Sequence, residues 1–510
     1  MTAGRPTLMA AGVVALATFA VNLLITAPLF VFSEARYYML WPQPGGLTRF
    51  FLAPELQWGS GRQLGIAAFQ VTGSVCGVDA GCVNASTALL VAIAAGVLLI
   101  HTRQITNSLW IAVVVTCLWV LSPAVLGISL WQATRFDLLA FIVALSASAI
   151  WWHVLGRSWR PRWAAVAFAI GSALLYAIAF NAKEITYYLV GVLPLLAVTR
   201  GCGVPGRVRR NLTASALPLL YALVFIGVAL HNIEPGYAGS TGGNDVAASA
   251  FELVRQGVGL GQSYMGIWQV SPMFDSLLRA TKVGYLLTAA AVVGILIVVV
   301  LRGARPSWDR SWGTELYVGA VMVATLAVGA RANGAAAYYL VIPYWAALVL
   351  GALLLRRLTR GLARPRLAFV VVAVLFAAAA ITGYASLFTE RSAWSVLARA
   401  SSDLRGVGDT IKDRLGGVDV SDVSWLTEGQ PTGFQYTIRG IGGPLAGKEL
   451  WPWLVQDRDA RPAFHALVDG EAGSWQRRAG EFSASGQVMV VLSNDYQLTL
   501  LVHEGKVLWP

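Results

Sequence analysis

Residues 8–38 read LMAAGVVALATFAVNLLITAPLFVFSEARYY. The run from Leu8 to Phe32 exceeds the ~20 apolar residues that a helix needs to cross a hydrocarbon layer. Ser33-Glu34-Ala35-Arg36-Tyr37-Tyr38 ends it, with a carboxylate and a guanidinium where the chain leaves the membrane. The run is too long for the core of a cleavable signal, and no clear small-residue cleavage site follows. It reads as a retained first span, and it sets the terms on which the rest of the chain is read.

The 510 residues are 56% hydrophobic and 13% charged. Backbone polar groups in lipid must be paired within their own segment, so repeated apolar runs mean transmembrane helices. Ten more follow the first: Thr87–Ile100, Leu109–Ile128, Phe136–Val154, Trp163–Phe180, Ile185–Val198, Leu212–Leu230, Val283–Leu301, Leu316–Ala330, Ala337–Leu355 and Leu367–Phe388. Leu47–Leu56 and Arg62–Gln70 are short and amphipathic and are expected to lie along the membrane surface.

Alternate loops carry the positive charge: Arg157, Arg160 and Arg162; Arg200, Arg207, Arg209 and Arg210; Arg302, Arg305 and Arg310; and five arginines from Arg356 to Arg366. The positive-inside rule makes these loops and the N-terminus cytoplasmic. Residues 33–86 and 231–282 then form outer loops, and the tail after Phe388 is also outside. The net charge of +12 is an orientation signal here and not a nucleic-acid footprint.

The tail is charged and turn-rich. Ser392–Leu415 reads as a helix, and Gln487–Leu492, Tyr496–Val502 and Lys506–Trp509 alternate like strands, with turns at Ser493-Asn494-Asp495 and Glu504-Gly505. The expected organisation is an all-α polytopic membrane part of about eleven helices over residues 1–388, followed by a small extracytoplasmic α/β domain over residues 389–510.

Ionisable residues collect at span ends on the expected outer side: Glu34 with Arg36, Arg62, Arg135 with Asp137, Lys183 with Glu184, and Arg331. Charge near membrane depth is costly, so each is a candidate for function. The plain structural alternative is that Arg135 and Lys183 reach the headgroups, or pair with Asp137 and Glu184. One carboxylate among several cations suits sugar transfer from a lipid phosphate. That leaving group needs cationic stabilisation and no protonation. A single general base for the acceptor hydroxyl then suffices, whereas glycosidases need two carboxyl groups. Glu34 is the candidate base, and Arg62, Arg135, Lys183 and Arg331 are the candidate phosphate ligands.

Four stretches resemble the GT-C superfamily of polyprenyl-phosphate-sugar-dependent glycosyltransferases, and within it the membrane part of protein O-mannosyltransferases. They are Ser33-Glu34; Gly61-Arg62-Gln63-Leu64, similar to an Arg-Pro-Leu stretch; Leu121-Ser122-Pro123 through Trp131 to Arg135-Phe136-Asp137-Leu138-Leu139; and Asn181-Ala182-Lys183-Glu184, completed by Leu193-Pro194. A fainter echo is Tyr338-Tyr339-Leu340-Val341-Ile342-Pro343. The chain departs from the pattern at Ser33, where many relatives carry a second acid, and at Gln63, which replaces proline.

The resemblance implies an inverting, mannosyltransferase-like enzyme. It would take its sugar from a polyprenyl-phosphate donor and pass it to a glycan, lipid or protein acceptor. It also implies that the outer loop at 231–282 closes over the donor, which makes Tyr264, Trp268 and Arg279 candidate contacts. Arginines can stabilise the phosphate, so no cofactor is required. His231 is a candidate ligand for a divalent metal, although a lone histidine at a span end is more often a satisfied polar residue.

Arginine outnumbering lysine, with abundant alanine and glycine, fits a GC-rich bacterium and so its inner membrane. An envelope polysaccharide polymerase or ligase is the competing reading. A transporter fits less well, since no repeated halves are visible. Cys76 and Cys82 share an outer loop and are read equally as a disulfide or as two free thiols. The sequon at Asn211 lies on the expected inner side, where it cannot serve, and the one at Asn84 abuts the second span.

Overall fold

A computed structural model of the chain describes residues 4–29, 39, 63–130, 135–157, 162–231, 313–331, 341–359, 393–417, 420–427, 451, 454–456, 463–466, 487–492 and 497–509. Its helices are α1 (Arg5–Thr26), α2 (Gln63–Cys76), α3 (Ala80–Thr106), α4 (Leu109–Val120), α5 (Pro123–Leu130), α6 (Arg135–Leu155), α7 (Arg162–Phe180), α8 (Leu189–Gly201), α9 (Arg207–His231), α10 (Gly313–Arg331), α11 (Val341–Thr359) and α12 (Ala393–Leu415). Five of them, α1, α3, α6, α7 and α9, are long and apolar enough to cross a membrane. The expected spans Val283–Leu301 and Leu367–Phe388, and the surface segment Leu47–Leu56, lie outside the described residues.

The helices follow from composition and from their ends. Asp79 caps α3 by accepting from Gly81 N at 2.8 Å and Cys82 N at 3.2 Å. Ser108 caps α4 by accepting from Ile111 N. The outward faces of α1, α7 and α9 expose Leu16, Leu24, Val166, Ile170, Leu220 and Val224. Such faces are ruinous in water and natural against lipid. Inward faces form one core, in which Leu98, Trp119, Phe141, Trp151, Tyr176, Phe180, Leu193, Tyr317 and Trp345 meet.

Polar groups pin helices across that core. His101 Nε2 lies 3.0 Å from the Tyr317 hydroxyl, and Trp345 Nε1 donates to Thr102 Oγ1 at 3.0 Å. Trp119 Nε1 donates to Val341 O at 3.1 Å, and Arg357 pairs with Glu315.

Two expected spans are corrected. The run Leu109–Ile128 is not one helix: α4 ends at Val120 and α5 starts at Pro123. A proline disfavours helical geometry in the residue before it, and the Ser122 hydroxyl then accepts from Val125 N at 3.4 Å. Ile185–Val198 opens with a 3₁₀ turn, Glu184–Tyr188, before α8. Of the amphipathic stretch Arg62–Gln70, the part from Gln63 belongs to α2, which runs on to Cys76 and buries Gln63, Gly65, Ile66 and Phe69 against the bundle. At Gly65 a Cβ would overlap the Phe136 ring, so this close approach requires glycine.

The C-terminal segment holds α12 and a five-stranded sheet of order β2-β1-β3-β4-β5, with β1 Asp422–Thr427, β2 Ala463–Ala466, β3 Gln487–Leu492, β4 Leu498–His503 and β5 Lys506–Trp509. β1 runs parallel to β2 and β3, and β3, β4 and β5 pair antiparallel. β3 is central and buried from Val488 to Leu492, as its unbroken apolar run requires. Glu504 and Gly505, both at positive φ, make the two-residue turn between β4 and β5. Leu404, Val407, Ile411 and Leu415 line one face of α12. The same cluster includes Ile25 and Leu29 at the end of α1, Phe69 and Phe136, so this segment packs on one end of the helical bundle.

Candidate functional site

Arg135 opens α6 and is 1% exposed. Its Nε donates to Thr87 Oγ1 at 2.9 Å, and one terminal nitrogen donates to Thr87 Oγ1 at 2.7 Å and to Val83 O at 2.5 Å. The other donates to Thr72 Oγ1 at 3.0 Å. Val83 and Thr87 are four apart and share one face of α3. The Phe69 ring lies 5.4 Å from the guanidinium carbon and 5.1 Å from the Phe136 ring. All these partners are neutral: no carboxylate meets Arg135 among the described residues. A cation at a helix N-terminus also sits at the positive end of the helix dipole. The result is a buried, electropositive spot.

Asp137, in the first turn of α6, favours that dipole. Its two oxygens accept from Lys183 Nζ at 2.6 Å and 2.7 Å, and both side chains are buried. Lys183 is held by the turn after α7. Asn181 Nδ2 donates to Ala177 O at 2.7 Å, and Thr186 Oγ1 donates to Ala179 O and to Lys183 O, both at 2.8 Å. Leu64 N donates to Asn181 O at 3.0 Å, which ties α2 to the same turn.

The exit of the first span is fixed beside them. Asn84 Nδ2 donates to Thr26 O at 2.9 Å and to Leu29 O at 2.8 Å, and Asn84 is the neighbour of Val83 on α3. Ser129 Oγ donates to Asn22 Oδ1 at 2.5 Å. Trp394 Nε1 donates to Ile25 O at 2.8 Å and Arg405 to Pro28 O at 3.1 Å, so α12 closes on the same exit. A disulfide joins Cys76 at the end of α2 to Cys82 at the start of α3.

Topology brings further residues to this end. The 19-residue α10 starts at Gly313 against Thr199, near the far end of α8. It rises ~28 Å, so Arg331 closes it at the Arg135 end. By the same reasoning His231, at the close of the 25-residue α9, and Glu184, next to Lys183, belong there. Glu34, Arg36, Arg62, Tyr264, Trp268 and Arg279 lie outside the described residues. Arg135 and Lys183, which the sequence suggests as phosphate ligands, have their polar atoms engaged within the protein. Burial demands this, because a charged group in an apolar interior is costly unless its donors are hydrogen-bonded.

The sequence reading passes over Thr72 and Thr87, and takes Asn84 only as a sequon. Asn84 carries a signal, an amide inside an apolar run. Its amide is spent on the α1 exit and is buried, as is Asn211, which donates to Leu155 O and Ala197 O. Neither is a glycosylation acceptor in this fold. No group of three His, Cys, Asp or Glu is placed to hold a metal ion among the described residues.

No protein-family model and no curated protein sequence matches the chain. Among solved structures it is similar to ArnT from Cupriavidus metallidurans bound to undecaprenyl phosphate, with a TM-score of 0.36 and 15% identity, covering 97% of this chain and 93% of that one.

Proposed function

We propose that the chain is an inverting membrane glycosyltransferase of GT-C type, which moves a sugar from a polyprenyl-phosphate carrier to a glycan, lipid or protein acceptor. The observation that carries this reading is the buried Arg135 guanidinium, met only by neutral oxygens among the described residues, beside the fixed exit of the first span. In a low-dielectric setting its field is weakly screened and favours an anion nearby.

Glu34 follows Leu29 by five positions, so its Cα lies at most ~18 Å from that anchored residue. In the proposed reaction the Glu34 carboxylate takes the proton of the acceptor hydroxyl. The acceptor oxygen bonds to the anomeric carbon from the face opposite the phosphate. The carbon–oxygen bond to phosphate breaks, and the polyprenyl phosphate leaves with the electron pair. Arg62 and Arg331 are the cations proposed to touch that phosphate. Arg135 contributes through its field, and the Asp137–Lys183 pair holds α6 against the turn after α7. The proposed setting is the outer face of a bacterial inner membrane, with the basic loops in the cytoplasm.

The test is Glu34→Gln in liposomes supplied with a panel of polyprenyl-phosphate sugars. Membrane insertion should be retained and transfer should fall ~10²–10⁴-fold. Transfer at the wild-type rate removes Glu34 as base. Failure of the wild-type protein to use any lipid-phosphate sugar removes the donor class.

A further inference from the structure

At the opposite end of the bundle, a cavity of about 430 Å³ opens where α6 and α8 finish and α9 and α10 begin. That volume is in the range of small-ligand sites. Two of its walls are cations, Arg200 and Arg207, and no acidic residue lines it.

Arg200 is held in one pose. Its guanidinium carbon lies 4.4 Å from the centre of the Trp152 ring, and its Nε donates to Trp152 O at 3.2 Å. Its other flank rests on Gly156, where a Cβ would collide with the guanidinium. Stacking and one hydrogen bond fix the plane of the fork, and its two terminal nitrogens have no hydrogen-bond partner among the described residues. A second cation lines the same cavity and meets the same residue: Arg207 donates from one terminal nitrogen to Gly156 O at 3.4 Å. The buried Nε of Arg207 and the buried hydroxyl of Thr199 likewise lack a partner among the described residues. The start of α9 and of α10 at this wall adds two positive dipole ends.

One guanidinium held by its ring stack, a second beside it with donors to spare, an idle hydroxyl and no competing carboxylate match a tetrahedral oxyanion. We propose that this cavity binds a phosphate group, as a phosphomonoester or phosphodiester, through Arg200 and Arg207. The site is separate from the sugar transfer proposed above, since the 21-residue α6 puts its wall ~30 Å from Arg135. Basic residues at a membrane face also serve as orientation signals, but that role needs only charge. A binding site needs the Trp152 stack and the Gly156 gap as well.

That difference supplies the experiment. Full-length protein goes into nanodiscs of phosphatidylcholine, in one arm titrated with phosphatidylglycerol and read by native mass spectrometry. In the other arm, protein in dodecyl maltoside micelles, which carry no phosphate, receives inorganic phosphate against chloride at constant ionic strength, read as a shift in Tm. Three variants accompany the wild type: Arg200→Gln, Arg207→Gln, and Gly156→Ala, which keeps both charges but displaces the fork.

Retention of phosphatidylglycerol, weakened about tenfold by each variant, assigns the site to a lipid headgroup. A phosphate-dependent Tm gain in the wild type that all three variants lose assigns it to a soluble phosphate. Binding that is lost in the arginine variants but unchanged in Gly156→Ala reduces the cluster to a general basic surface and overturns the proposal. So does equal binding by all four proteins, or none in either arm.

Discussion

Lys183 and Asp137 show how a residue chosen for its charge can serve another charge in the same protein. The ammonium lies within 2.7 Å of both carboxylate oxygens, and neither group is open to water. Truncating one partner takes this counter-charge from a buried group, which is where the large penalties arise. Lys183→Met should therefore destabilise the folded protein by ~3–5 kcal/mol, read as a lower Tm in detergent. Lys183→Met combined with Asp137→Leu should recover much of that loss, because both charges are then gone. A double variant no more stable than the single one would show that the pair adds nothing of its own. The sequence shows both residues as costly charges at span ends, but not who meets whom. Thr72 and Thr87 were harder still to read. A threonine in an apolar helix usually bonds back to its own carbonyl, as Thr72 does to Ala68 O and Thr87 to Val83 O. Nothing local reveals that each hydroxyl also accepts from Arg135.

The helices were legible where hydropathy is uniform and less so where a single residue resets the backbone. α6, α7 and α9 sit within a few residues of their apolar runs, whereas α3 overruns Thr87–Ile100 at both ends and α1 stops at Thr26. The break at Leu121-Ser122 is invisible to an average over a span, although Pro123 announces it. α2 reads as a surface helix because its polar residues suggest water, yet Gly65 and Phe69 pack it onto Phe136. Its attachment is reinforced where it meets α3: the Cys76–Cys82 bridge closes a short turn that contains Asp79, the α3 cap. A loop this short gives ~2 kcal/mol from restricting the unfolded chain. Cys76→Ser should thus lower stability by about that amount. Mass analysis of alkylated protein should find two thiols protected in the wild type and one more thiol free in the variant. Full alkylation of all four wild-type cysteines without reductant would refute the bridge.

Across the whole molecule, the bundle has two unlike ends. One gathers Arg135, Asp137, Lys183, the exit of α1 and the C-terminal helix and sheet. The other gathers Arg200, Arg207 and Arg210, with the Arg357–Glu315 pair near the start of α10. The asymmetry of charge was readable from the loops alone, since it needs only the order of spans and the position of arginines. That α12 and the sheet would share a core with the Arg135 end was not readable, because it depends on contacts such as Trp394 with Ile25, 369 positions apart. That contact makes orientation a shared property: the C-terminal segment and the candidate site must face the same side of the membrane. If the basic end is cytoplasmic, a phosphatase fused after Pro510 should be active and a green fluorescent protein fused there should be dark. Cys202, exposed at the basic end, should resist an impermeant maleimide until the membrane is opened. A bright fluorescent fusion with an inactive phosphatase would put the Arg135 end in the cytoplasm. Donor chemistry on the outer face would then fail, whatever the outcome at Glu34.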